Sequence, residues 1–314
     1  MPVMKPYPLQ FLGEENEYTA YRDAAVVILP VPWEGGISYM PGTSRGPDAM
    51  LKASGYLEFY DEQSGSEPHR CGIATVAMPR MPENPGDLAA LVFETARDLL
   101  DADKFTIMAG GDHSITTGYA RALLEKHGTL SVIQLDAHAD LRDTFEDSPF
   151  SHACTMRRIR ELTPHTLQLG IRSMSREEAD LVKAESIPLF TMPDIRSGRM
   201  DLEKALAALP DPVFITLDVD VFDWSVIRAT GTPEPGGMLW DEMLTILHRI
   251  FSTCRVSGMD VVELIGSDSD PHAAFAAAKL IYKCIAFQTE SAVMRGELPG
   301  WPESPAGPLF RIHS

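Results

Sequence analysis

Short, continuous apolar runs alternate along the chain with longer segments in which apolar residues return every three or four positions. The runs Ala24–Leu29, Phe105–Ala109, Leu130–Leu135, Thr166–Ile171, Ile187–Phe190, Val213–Leu217 and Val256–Val262 predict strands. They are apolar throughout rather than on every second residue, which suits strands covered on both faces, as in a parallel sheet. The intervening segments Gly86–Ala102, Ser114–His127, Ser175–Ala184, Asp201–Leu209, Leu239–Phe251 and His272–Phe287 predict helices. Alternation from end to end predicts the α/β class: a mainly parallel central sheet with helices on both faces, a three-layer sandwich.

Pro and Gly cluster in Pro30–Gly46, Gly231–Gly237 and Pro299–Pro308, which therefore read as loops. No internal repeat, low-complexity tract or charged linker divides the chain, so a single domain over 1–314 is expected. Residues 1–22 read as an N-terminal extension. Residues 299–314 read as a Pro-rich tail, packed on the surface or against another subunit.

Composition changes this picture little. At 44% hydrophobic and 23% charged residues, the 314-residue chain is ordinarily globular, which removes disordered and fibrous classes. Charge says more. Lys+Arg 27 against Asp+Glu 45 leaves −18, a poor footprint for nucleic acid or anionic membranes and a good one for a cationic small molecule. The four cysteines Cys71, Cys154, Cys254 and Cys284 form no CxxC pair, so neither a disulfide framework nor a structural zinc site is indicated. The start lacks the apolar stretch of a secretory signal, and no run approaches the roughly 18 apolar residues of a membrane helix. A soluble cytoplasmic protein is expected.

Candidate chemistry sits where the predicted strands end, the side of a parallel sheet on which ligands bind. Gly110–Gly111–Asp112–His113–Ser114 follows one strand, Asp136–Ala137–His138–Ala139–Asp140 a second, and Asp218–Val219–Asp220 a third. Side chains alternate in extended backbone, so Asp136, His138 and Asp140 can share a side, as can Asp218 and Asp220. With His113 they make four carboxylates and two imidazoles. Crowded carboxylates must protonate unless a cation neutralises them. An oxygen and imidazole set without thiolate suits a hard or borderline divalent ion, and six donors fit two ions better than one. GGDHS alone would read equally well as a turn in which Asp112 or Ser114 caps a helix. DAHAD would not, because three alternating potential ligands after a buried strand do nothing for packing.

These segments resemble, in order, those of the ureohydrolases, the family of agmatinase and arginase, and agmatinase most. GGDHS, VIQLDAHAD, SHACTMRR, ITLDVDVFD with TGTPEPGG, and GMDVVEL carry the resemblance over roughly Pro30 to Phe287. It implies two manganese ions per subunit, one held by His113, Asp136, Asp140 and Asp218, the other by Asp136, His138, Asp218 and Asp220. It further implies that hydroxide formed between them attacks the guanidinium carbon, such metals lowering the pKa of water from 15.7 to about 7. Asp140 would take its proton, His152 would protonate the leaving amine, and Glu263 would bind the guanidinium. The resemblance also implies homo-oligomers, trimers or hexamers. Three departures stand out: Trp224 and Arg228 occupy loop positions where the family has small residues or Pro, and Cys154 and Met156 replace the commoner run beside His152. Cys154 reads as a packed thiol.

Substrate choice falls to the loop Leu141–Ser151. The asparagines with which arginases hold an α-carboxylate are absent there. Asp143, Glu146 and Asp147 are offered instead, so Asp143 and Glu146 are expected to bind a distal ammonium. Agmatine, cleaved to putrescine and urea in polyamine biosynthesis, is the first expectation; aminopropyl-agmatine, guanidinobutyrate and arginine are the alternatives. Arg142 reads as salt-bridged to a nearby acid, with a clamp for a substrate carboxylate as the other reading. A binuclear phosphoesterase is disfavoured by the absence of a GNH segment, a one-zinc deacetylase by the six-donor set, and an inactive scaffold by the intact ligands.

Overall fold

The computed structural model describes residues 4–82 and 84–297, so the Pro299–Pro308 tail lies outside the described residues. Eight strands are present: β1 Val26–Val31, β2 Ile73–Thr75, β3 Phe105–Gly110, β4 Ser131–Leu135, β5 Thr166–Ile171, β6 Leu189–Thr191, β7 Val213–Asp218 and β8 Val256–Val262. They form one sheet in the order β2-β1-β3-β8-β7-β4-β5-β6, every pairing parallel. All strand carboxyl ends therefore open on one rim. The α/β expectation is met.

Among the described residues nine helices cover the two faces: α1 Gly46–Ser54, α2 Pro85–Asp101, α3 Thr116–His127, α4 Thr155–Leu162, α5 Arg176–Glu185, α6 Met192–Arg196, α7 Leu202–Ala207, α8 Trp240–Thr253 and α9 Pro271–Met294. Burial explains the uninterrupted apolar strands. Val26 and Ile28 of β1, with Val213, Ile215 and Leu217 of β7, pack into one core with α1, α8 and α9. Val27, Leu29 and Val31, with Phe214, pack into the other with α2, α3 and α4. Each successive side chain enters a different apolar layer, so no position is left for water.

Four elements were not foreseen. β2 is three residues long, too short for a periodicity. α1 begins at Gly46, the last residue of the stretch read as a loop, and was assigned to no element; Gly46 and Pro47 open it at the first turn, where a missing N–H costs nothing. α4 hides its apolar face, Met156 and Ile159, among Arg157, Arg158 and Arg160. α6 is a five-residue turn with its own Thr191/Asp194 capping box. β1 also runs past its expected end through Pro30. The Val26 N–H faces β2, donating to the Gly72 carbonyl at 3.1 Å. By alternation the Pro30 nitrogen faces the same side, and β2 pairs no further than Ile28. Proline there forfeits no ladder bond. Among the described residues no helix is long and apolar enough to cross a membrane.

Candidate active site

The rim of β3 is shaped by backbone proximity. Gly111 donates to the Val31 carbonyl and Asp112 to that of Trp33, at 2.9 Å each. A Cβ on Gly111 would lie 1.8 Å from the Trp33 oxygen, so only glycine fits. Asp112 does cap the following turn, accepting the Ser114 amide at 3.0 Å, and it also accepts the Gly36 amide at 2.7 Å. The capping reading and the ligand reading of GGDHS hold together, because the cap delivers His113, fully buried, into the centre.

His113 Nδ1 lies 3.2 Å from Asp136 Oδ2, 3.1 Å from Asp140 Oδ2 and 3.6 Å from Asp218 Oδ2, yet it makes no hydrogen bond. Across Asp136, His138 Nδ1 stands 2.8 Å from Asp220 Oδ2, which also lacks a hydrogen-bond partner. Donor atoms of His113, Asp136 and Asp140 form one set within 4.8 Å of one another, and those of Asp136, His138 and Asp220 form a second. Asp136 is common to both. Asp218 joins neither set at that distance; it approaches the first through His113 and accepts the Asp220 amide at 2.8 Å. Atoms that converge without hydrogen-bond geometry leave room for a cation rather than a proton.

The electrostatics agree. Burial, then Asp220, Asp136 and Glu263, push the Asp218 carboxyl well above its ordinary range. Burial and Asp136 push Asp140 up to about 6. Burial works against charging the imidazoles, but Asp136 and Asp140 hold His113 well up, and Asp220 and Asp136 carry His138 to about 12. Crowded carboxylates of this kind favour protonation of one another and of the neighbouring imidazoles unless cations neutralise them.

Behind the donors is a layer that strand-by-strand reading did not find. His113 Nε2 is 2.7 Å from Thr216 Oγ1, and Thr216 donates to Asp260 Oδ1 at 2.7 Å. The buried Asp260 takes a second hydroxyl, that of Thr116, at 2.8 Å. With the Thr216 hydrogen committed to Asp260, its oxygen accepts from Nε2–H, which leaves Nδ1 as the unprotonated donor. Gln134 holds Asp136 Oδ2 at 2.7 Å and is itself held by Gln168. The one available signal was a buried Asp in the middle of β8, inside an otherwise apolar run.

Glu263 and His152 meet beside this centre. Glu263 adopts a φ of 65° at the end of β8, and its Oε1 accepts the His113 amide at 2.8 Å and His152 Nδ1 at 3.0 Å. Its Oε2 is buried without a partner. Burial works against charging His152, but Glu263 and then Asp140 raise it to about 9. His152 Nε2 reaches Ser38 Oγ at 2.8 Å.

A cavity of about 230 Å³ opens here, its walls including His138, Asp140, Asp218, His152 and Ser38 together with Arg142, Phe145, Met174, Ser175 and Glu178. Asp143 and Glu146 are not among the residues that wall it. Asp143 is 75% exposed and paired with Arg158 at 2.8 Å, and Glu146 is exposed in a turn where it and Asp147 both have positive φ. Nor is Arg142 salt-bridged: its guanidinium lies 5.0 Å from the centre of the Phe145 ring. The acid in the distal wall is Glu178, which had read as an ordinary helix residue. Its Ser175-to-Glu178 capping box, right after β5, was the signal. Of the departures, Arg228 pairs with Asp270 at 2.9 Å, Trp224 is surface-exposed, and burial pushes the Cys154 thiol up to about 11, inert as a nucleophile.

The model described as Arginase family matches residues 24–286. The chain belongs to the arginase family. It is a ureohydrolase, acting on guanidino carbon–nitrogen bonds, in a family of binuclear metal enzymes. Similar to it are the N(1)-aminopropylagmatine ureohydrolase of Synechocystis, 40% identical over 90% of this chain and 95% of that protein, and the agmatinase of Pyrococcus horikoshii, 33% identical over 84% and 92%. The agmatine ureohydrolase of Thermoplasma volcanium superposes with a TM-score of 0.81 at 26% identity, covering 92% of this chain and 97% of that one. In this arginase-family chain, the two sets sharing Asp136 lie at the carboxyl ends of β3, β4 and β7.

Proposed function

We propose that this ureohydrolase cleaves a polyamine-type guanidine, N(1)-aminopropylagmatine ahead of agmatine, releasing urea and the corresponding amine. The observation that carries this reading is the cavity itself. Its lining joins His152 and Asp218 to Ser175 and the buried Glu178, so one substrate can meet the centre with its guanidine and a carboxylate with a distant ammonium. The relatives of 34–40% identity, all N(1)-aminopropylagmatine ureohydrolases, support it. Agmatine is the second reading, favoured by Arg142: a cation in the same wall opposes each further ammonium the substrate brings.

The donor set fits two divalent ions, proposed to be manganese, with His113, Asp136, Asp140 and Asp218 holding one and Asp136, His138, Asp218 and Asp220 the other. When bound, the pair supplies a water activated near neutral pH. Asp140 accepts a proton from that water at its carboxylate. The unpartnered Oε2 of Glu263 takes the guanidinium N–H groups in charge-assisted hydrogen bonds. His152 holds a proton at Nε2, facing the cavity, and delivers it to the departing nitrogen; such general-acid help is worth about 10²–10⁴-fold. The protein is further proposed to be a cytoplasmic homo-oligomer.

Urea release by manganese-loaded protein tests this directly with N(1)-aminopropylagmatine, agmatine, arginine and guanidinobutyrate. The expected order in kcat/KM puts the first ahead of the second by about tenfold, worth one good contact, and both ahead of the other two. Arginine turned over faster than agmatine would remove the polyamine assignment.

A further inference from the structure

We propose that Ser38 is a positioning residue of the catalytic cycle: its hydroxyl holds Nε2 of His152 and keeps that ring's proton-delivering edge turned into the cavity. The inference rests on the role given above to His152. Glu263 is acceptor-only, so Nδ1–H of His152 donates to it at 3.0 Å. Nε2 is then the nitrogen that gains and loses the proton. Its partner must accept from the charged ring and donate to the neutral one, which a hydroxyl does by rotating about one bond and an ionised carboxylate cannot. Ser38 Oγ stands 2.8 Å away, and both residues line the cavity.

The loop carrying Ser38 is built for this contact. Gly36 donates its amide to Asp112 Oδ2 at 2.7 Å, while its carbonyl accepts the His152 amide at 3.1 Å and the Ser151 hydroxyl at 3.2 Å. A Cβ at Gly36 would sit 3.2 Å from the His152 nitrogen and 3.1 Å from the Phe150 carbonyl. Loop and histidine thus move as one body, fixed to the β3 rim through Asp112. Nothing in the composition of Pro30–Gly46 distinguished Ser38 from its neighbours.

The test compares wild type, Ser38→Ala and Ser38→Thr, all manganese-loaded. Losing one hydrogen bond to the ring lowers kcat by about tenfold in Ser38→Ala. KM stays within about twofold and metal content is unchanged, because no group that binds substrate or ion has gone. Ser38→Thr restores kcat to within about threefold. In parallel, on metal-free protein so that paramagnetic manganese does not broaden them, the His152 imidazole ¹⁵N resonances, assigned by their absence in His152→Ala, shift in Ser38→Ala and return in Ser38→Thr. Wild-type kcat in Ser38→Ala, or unmoved resonances, overturns the proposal. So does a kcat loss that Thr fails to rescue: accompanied by lost metal it marks a structural role, and with metal retained it marks a role for Ser38 other than holding the ring. If wild type releases no urea from any guanidine, the proposed function falls while the imidazole spectrum still decides Ser38.

Discussion

Part of the cavity wall is anchored at strand ends and part hangs on loops and a helix turn, and the two differ in how tightly each side chain is determined. At the centre, His113, Asp136 and Asp218 follow directly from β3, β4 and β7, whose register is fixed by ladders on both sides. Each donor is gripped again from behind: His113 by Thr216 and Asp260, Asp136 by Gln134 and Gln168. At the distal wall, Arg142 and Phe145 hang on the loop after DAHAD, and Ser175 and Glu178 on the first turn of α5. The difference separates chemistry from specificity. A ring of anions tolerates no displacement, whereas a wall that only has to complement a substrate's far end can be re-cut residue by residue.

The sharpest way to break this contrast is at the shared ligand. Asp136→Ala removes a residue common to both donor sets, so metal content should fall from two ions per chain and urea release by on the order of 10³-fold or more. Elemental analysis beside the urea assay reads both. Full metal content with full activity would mean that the centre does not lie where the two sets meet.

That contrast also governs what could be read from sequence alone. Strands buried on both faces announce themselves as continuous apolar runs, and chemistry at their ends announces itself as polar residues where the run stops; DAHAD after Ser131–Leu135 is the clearest instance. Thr216 and Asp260 were illegible because a residue inside a run is read as packing, and only the third dimension puts the β7 hydroxyl against the β8 carboxylate. The distal wall was illegible for a different reason. Charge counting in Leu141–Ser151 found Asp143 and Glu146, but the course of the loop decides which side chains line the cavity, and Asp143, Glu146 and Asp147 are exposed instead. Arg142, from the same loop, points in.

A second, smaller effect concerns the centre without its ions. In the metal-free protein Asp140 and Asp218 titrate above their unfolded values, as do His113 and His138. Between pH 4 and 9 the folded state therefore binds more protons than the unfolded one, and stability must fall as pH rises. Asp136, held low by its histidines after burial is overcome, has its window below pH 3.8 and does not reverse the sign. Asp140 alone, near 6, contributes about 3 kcal/mol of this loss. Chelated protein should melt several degrees lower at pH 8 than at pH 5, and manganese should flatten the slope. A metal-free melting temperature that rises over this range would contradict the arrangement of charges at the centre.

The smallest effect belongs to the distal wall. Arg142→Gln keeps a long polar side chain over Phe145 and removes one positive charge from the cavity. Like charges at a partly exposed site cost about 0.5–1 kcal/mol, so kcat/KM for agmatine should rise about two- to fivefold, and more for N(1)-aminopropylagmatine, which carries a further ammonium. Guanidinobutyrate should lose by a similar factor. Metal content and kcat on a saturating substrate should not move, since Arg142 touches neither ion donors nor His152. If agmatine and guanidinobutyrate instead shift together, Arg142 supports the loop rather than reading the substrate, and charge selection at this wall passes to Glu178, whose two oxygens already accept the Leu141 and Ser175 amides at 2.8 and 2.6 Å and so hold its carboxylate in place.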